Sequence, residues 1–153
     1  MPTTHYLASN DWLNITFRLC LALLVGAIVG IERQLTNKPA GLRTHMLVSF
    51  GSALFSLIVL QFNVSPSGAE AEPISRVIQG IAAGVGFIGA GEILRQSSHE
   101  SNRTEIQGLT SAAAIWVSAA LGIAAGCGLW QFGLIGAFLC LLVLSVFKRF
   151  ERQ

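Results

Sequence analysis

The chain carries five apolar stretches, each about as long as a bilayer is thick, and this feature most restricts its fold. A helix that crosses the hydrocarbon core needs about 20 mostly apolar residues. Because lipid offers no hydrogen bonds to the backbone, each stretch is expected to be helical. The sequence therefore predicts an all-α integral membrane protein, a five-transmembrane-helix bundle. Its spans are predicted at about 13–31, 44–62, 74–94, 109–126 and 129–147.

The charged residues are few, and their placement predicts an orientation. Only 12% of the residues are charged, against about 25% in a soluble domain. Eight of the ten Lys and Arg residues lie in the first and third loops or after the last span. Basic residues mark the cytoplasmic side, so the N-terminus is expected outside and the C-terminus in the cytoplasm. This divides the chain into an extracytoplasmic segment 1–12, a membrane domain 13–147 and a basic cytoplasmic tail 148–153.

Glycines in the spans predict where helices pack, because they let helix backbones approach closely in lipid. In the third span, Gly80, Gly84 and Gly91 form one stripe and Gly86 and Gly89 lie on the opposite side. This arrangement predicts that the third helix lies at the centre of the bundle. Two roles are open for these glycines: close packing alone, or packing that also lets the helices slide or open a gap. The predicted packing positions are Gly26, Gly30, Gly80, Gly84, Gly86, Gly89, Gly91 and Gly122.

Ionisable residues cluster near the ends of the first and third spans. Glu72 and Arg76 are four residues apart with the acid first, the favourable order for a helical pair; they form either a capped helix end or an outer ionisable cluster. At the inner side, Glu32 and Glu92 are expected to approach each other among three arginines, Arg33, Arg43 and Arg95. This group is either a salt-bridge network or a small site for a cation, since Mg²⁺ binds through one or two carboxylates.

Several function classes find no support in the sequence. It contains no plausible Ser/His/Asp set, phosphate loop or His/Cys cluster, so no enzyme and no cofactor are predicted. A net charge of +2 implies no attraction to nucleic acid. No ionisable residue is placed at mid-depth of a predicted span, whereas coupled transporters usually have one there.

Four motifs in this order resemble the membrane domain of the MgtC/SapB family. They are GIER (30–33), KPAGLRTH (38–45), GVGFIGAG (84–91) and GLTSAA (108–113), the last followed by Trp116. The resemblance covers nearly the whole chain and implies a multi-pass protein of the bacterial inner membrane linked to Mg²⁺ homeostasis. Virulence-type members carry a soluble cytoplasmic domain after the fifth helix, and the expectation here, with Gln153 last, is a membrane domain without it.

The resemblance also implies roles for individual residues and for the protein. It adds Arg43 and Thr44 to the polar residues, and Gly108, Thr110 and Trp116 to the packing positions. The best-studied members are regarded as regulators of the F-type ATP synthase, so the first hypothesis is a regulator or interaction partner of a membrane ATPase or transport system. The alternatives are an Mg²⁺ or other cation or small-solute transporter, expected to be a homo-oligomer, and a structural membrane subunit. The predicted polar cluster is Glu32, Arg33, Arg43, Thr44, Glu72, Arg76 and Glu92, with Glu32 and Glu92 as candidate metal ligands.

Overall fold

The computed structural model describes residues 11–62, 71–98 and 108–150, and all regular secondary structure in these ranges is α-helical. Four helices have the length and apolar character of membrane spans, and the fifth is apolar over Trp130–Val146. The predicted all-α membrane fold is therefore confirmed. Its orientation stays a prediction, and residues 1–10 and 151–153 lie outside the described part. The helices are α1 (Trp12–Leu35), α2 (Leu42–Phe62), α3 (Ala71–Ser98), α4 (Leu109–Gly126) and α5 (Trp130–Phe150).

Local signals fix where the helices begin and end. The carboxylate of Asp11 accepts a hydrogen bond from the Asn14 backbone N–H at 3.2 Å and caps α1. Gly108, with φ of 90°, forms the left-handed cap of α4. Gly128, with φ of 77°, turns the chain between α4 and α5, where a residue with a Cβ would be strained. This turn separates two helices that hydropathy alone would allow to be one.

Helices α1, α2 and α4 pack against one another and form the centre of the bundle. Small side chains fill the space between them, including Ala22, Ala53 and Ala125, which are completely buried. Helix α5 packs against α1 and α4 on one side. Helix α3 packs mainly against α4 and less against α2, and in the described residues no Cα of α3 lies within 8 Å of α1.

The prediction that α3 lies at the centre is wrong for the single chain. A Cβ placed on Gly80, Gly84, Gly86 or Gly91 would meet no atom within 4 Å. A Cβ on Gly89 would meet only Ala112 of α4. Glycine permits close approach in a membrane but does not cause it, and its spacing does not say which helix is the neighbour. Gly80, Gly84, Gly86 and Gly91 of α3 are exposed, whereas Gly89 is buried against α4.

The close approaches occur instead on both sides of α2. A Cβ on Gly26 of α1 would lie 2.7 Å from the carbonyl oxygen of His45 and 3.0 Å from Cβ of Ser49. A Cβ on Gly122 of α4 would overlap the carbonyl oxygen of Ser49 from the other side. Similarly, Gly30 of α1 faces the backbone of α2 near its start. Helix α2 is therefore held between α1 and α4, and α4 also contacts α3 and α5.

Candidate functional site

Polar side chains are buried inside the bundle, while its outer surface is apolar. Such a distribution suits a membrane protein, because polar groups facing hydrocarbon are costly and are turned towards other helices. We call this set the polar seam, since it follows the junction of α1, α2 and α4. Its members are Arg18, Glu32, Arg33, His45, Ser49, Ser52, Ser56, Ser111 and Ser118.

A charged pair occupies the seam at the last turn of α1. Arg33 Nη2 donates a hydrogen bond to Ser111 Oγ of α4 at 2.8 Å. Its Nη1 lies 3.7 Å from Glu32 Oε2, and both side chains are buried. Within the described residues, Glu32 Oε2 and Arg33 Nε have no hydrogen-bond partner. Each charge therefore depends on the other, because an isolated buried charge would be strongly unfavourable.

His45 lies next along the seam and joins α2 to α4. Its Nε2 is 3.2 Å from the carbonyl oxygen of Ala40, and since a carbonyl only accepts, Nε2 carries the proton. Its Nδ1 is 2.9 Å from Ser118 Oγ, so both ring nitrogens are satisfied by protein groups. The side chain is completely buried. His45 lies near the start of the predicted second span and was not among the residues of the predicted polar cluster.

A signal for these residues is present in the sequence. His45, Ser49, Ser52 and Ser56 follow one another at intervals of four, three and four, which places them on one face of α2. A polar face on an otherwise apolar span indicates contact with other helices. Ser49 Oγ accordingly donates to the carbonyl oxygen of Ala22 on α1 at 2.7 Å. The spacing of the serines and His45 therefore indicates that this face of α2 meets other helices.

Arg18 closes the opposite end of the seam. Its Nε donates to Asn14 Oδ1 at 2.7 Å, and its Nη1 donates to the carbonyl oxygen of Gly126 at 2.9 Å. This bond satisfies a backbone acceptor at the C-terminus of α4, where a positive charge is favourable. The guanidinium also lies over Gly128, where a Cβ would come within 2.9 Å of it. Arg18 thus ties α1 to the turn between α4 and α5.

The other predicted polar residues are not gathered in the seam. Arg76 Nη2 donates to Glu72 Oε1 at 2.7 Å, but the two side chains are 76% and 74% exposed. The pair is therefore an exposed helical ion pair and not an enclosed cluster. Arg43 is exposed, while Thr44 and Glu92 are half-buried.

The candidate metal ligands lie on separated helices. Glu32 is on α1 and Glu92 on α3, and these helices do not come within 8 Å of each other, Cα to Cα, in the described residues. Across residues 11–62, 71–98 and 108–150, no three His, Cys, Asp or Glu residues are grouped so that they could hold a metal ion. The side chain of Arg95, expected near them, lies outside the described residues.

The three packing positions taken from the resemblance have different surroundings. Gly108 caps α4 in a left-handed conformation, whereas Thr110 is exposed. Trp116 is 52% exposed on the outer face of α4. Thr110 and Trp116 therefore do not pack inside the bundle of this single chain.

Comparison with known proteins identifies the family. Residues 19–153 match the MgtC family. The chain is 52% identical to SrpB of Synechococcus elongatus over 149 residues, 96% of this chain and 82% of that protein. It is 44% identical to YhiD of Escherichia coli, named "Putative magnesium transporter YhiD", over 86% of this chain and 60% of that one.

A third relative, MgtC of Salmonella typhimurium, is 36% identical over 88% of this chain and 52% of its own length. The chain therefore spans only about half to three-fifths of MgtC and YhiD. No solved structure matches the chain. The family match over nearly the whole chain and these identities show that the chain is a membrane protein of the MgtC family.

Proposed function

We propose that the protein serves Mg²⁺-related physiology in the bacterial inner membrane as a non-enzymatic regulator of a membrane ATPase or transport system. The observation that carries the proposal is the family match over residues 19–153, to which the name of YhiD adds the connection with magnesium. The regulatory role rests on the arrangement of the helices.

Tight packing at the centre supports interaction in preference to conduction. At Gly26, Gly30 and Gly126 a Cβ would lie within 3 Å of backbone atoms of α2, so α1, α2 and α4 leave no water-filled space there. Helix α3, in contrast, presents Phe87 at 84% exposure beside exposed glycines. An apolar helix face with small residues suits association with another membrane helix, because it lets the two backbones approach closely.

Site-specific crosslinking in native membranes tests the proposal. A photoreactive amino acid at Phe87 of α3 is expected to capture a subunit of one membrane ATPase, identified by mass spectrometry, in cells grown at low Mg²⁺. The same group at Phe138, 64% exposed on α5, is the matched control for nonspecific capture. Equal capture of unrelated membrane proteins from both positions would contradict a specific regulatory face.

A second candidate function is cation transport, favoured by the buried and incompletely hydrogen-bonded pair of Glu32 and Arg33. The test uses purified protein in liposomes that contain an Mg²⁺ indicator. A regulator is expected to give no flux above that of empty liposomes. If Mg²⁺ enters the liposomes, and this entry is lost in Glu32→Gln but kept in the surface variant Glu72→Gln, the protein is a transporter and the proposal of a regulator is wrong.

A further inference from the structure

An open groove of about 720 Å³ runs between α2 and α3. Three of the glycines that line it, Gly51 on α2 and Gly80 and Gly84 on α3, have no atom within 4 Å of the Cβ position. Among the described residues that line the groove, Arg76 is the only charged one. The groove is thus mostly apolar, with one positively charged side chain at its end. Its walls include Leu47, Phe55, Val77 and Ile88.

The length of the groove corresponds to one leaflet of a bilayer. From Arg76 to Ile88, the groove follows α3 for about 18 Å at the helical rise of 1.5 Å per residue. Half of the hydrocarbon core measures about 15 Å. A transmembrane helix of a second copy would continue across both leaflets, whereas a phospholipid extends over one. The dimensions therefore favour a lipid as the occupant.

The charge at the end of the groove fits a phosphate. Arg76 uses Nη2 for Glu72 at 2.7 Å, but a guanidinium has five N–H donors and binds phosphate through two of them at once. Both side chains are mostly exposed, so their ion pair is weak and a phosphate can compete with it. Arg76 lies in the first turns of the span Glu72–Leu94, at the depth of lipid headgroups.

From these observations we propose that the groove binds one membrane phospholipid, with an acyl chain along Gly80 and Gly84 and its phosphate on Arg76. This site is independent of whether the protein regulates or transports. The glycines have a definite role in it, because a larger side chain at either position would fill the space that the acyl chain occupies.

Native mass spectrometry of the full chain, titrated in detergent with phosphatidylglycerol, tests the site. The groove variant is Gly84→Leu, in which the new Cβ would meet no atom within 4 Å; its fold is checked by far-UV circular dichroism. Its matched control is Gly91→Leu, equally open but outside the groove. We expect one tightly bound lipid in the wild type and in Gly91→Leu, and loss of that lipid in Gly84→Leu.

The headgroup contact has its own variants. Arg76→Gln is expected to weaken binding of that lipid about tenfold, the effect of losing one hydrogen bond from a charged group. Glu72→Gln removes the competing carboxylate and is expected to bind the lipid at least as tightly as the wild type. Equal affinity in all five proteins would overturn the proposal. So would loss of a protein dimer in Gly84→Leu with unchanged lipid binding, because the groove would then be an interface between copies.

Discussion

Adding one methyl group at Gly26 should separate α1 and α2, which pack closely against each other at this position. In Gly26→Ala, the new Cβ would lie 2.7 Å from the carbonyl oxygen of His45 and 2.9 Å from Cα of Met46. Both are backbone atoms, so no side chain can rotate away. Ordinary contact begins at 3.4 Å, and α1 and α2 must therefore move apart by about 0.7 Å.

Overpacking of this kind costs about 1–3 kcal/mol, and alanine recovers about 0.5–1 kcal/mol through its helix propensity. The shift also lengthens the hydrogen bond from Ser49 Oγ to the carbonyl oxygen of Ala22, now 2.7 Å. We therefore expect Gly26→Ala to lower the free energy of unfolding by about 2 kcal/mol.

Gly84→Ala is the matched control, because it is the same substitution in a helix but meets no atom within 4 Å. It is expected to raise the free energy of unfolding by about 0.5–1 kcal/mol. Both values are measured by unfolding the purified protein with sodium dodecyl sulfate in mixed micelles, followed by far-UV circular dichroism. If Gly84→Ala destabilised the protein as much as Gly26→Ala, the reasoning that α1 packs closely on α2 while this face of α3 stays open would be refuted.

Three further substitutions test the polar seam and the outer surface by the same unfolding measurement. Arg18→Met should lower the free energy of unfolding by about 2 kcal/mol, because it removes the charged hydrogen bond to the carbonyl oxygen of Gly126 at 2.9 Å. An unchanged free energy of unfolding would show that water replaces the arginine. Ser111→Ala should lower the free energy of unfolding by about 1–2 kcal/mol, since Arg33 loses its hydrogen-bond partner at 2.8 Å. In a protein that already carries Arg33→Met, the same substitution should have little effect. Trp116→Ala should cost less than about 1 kcal/mol because the side chain is 52% exposed, whereas a core Trp→Ala costs about 3–5 kcal/mol.

The five helices could be predicted from the sequence because each one satisfies its backbone hydrogen bonds within itself. Length and hydropathy therefore suffice to find them, and the glycines around Cys127 suffice to separate α4 from α5. The neighbours of each helix could not be found in the same way. Lipid is as apolar as the side chains, so no hydrophobic difference marks the face that will be buried.

The candidate site was predictable only in part for the same reason. Glu32 and Arg33 stood out because charges near a span are rare, and the structure buries them together. Ser111, which accepts a hydrogen bond from Arg33, and the buried His45 could not be recognised in the same way, because serine is common at helix contacts and histidine is common at membrane boundaries. Only the spacing of the polar residues along α2 and α4 carries that information.

The position of α3 follows from what holds the other helices together. Polar side chains cross between α1, α2 and α4 at Ser49, His45 and Arg33. Close backbone approaches at Gly26 and Gly122 lie beside the first two of these crossings. Helix α3 meets α4 at Gly89 and Ala112, 3.3 Å apart at the Cβ position, which is an apolar contact. In water, the exposed glycines and Phe87 of this helix would be a liability, but hydrocarbon covers them without cost. The helix with the most distinctive glycine sequence is therefore the one with most of its glycines outside the packed centre of the single chain.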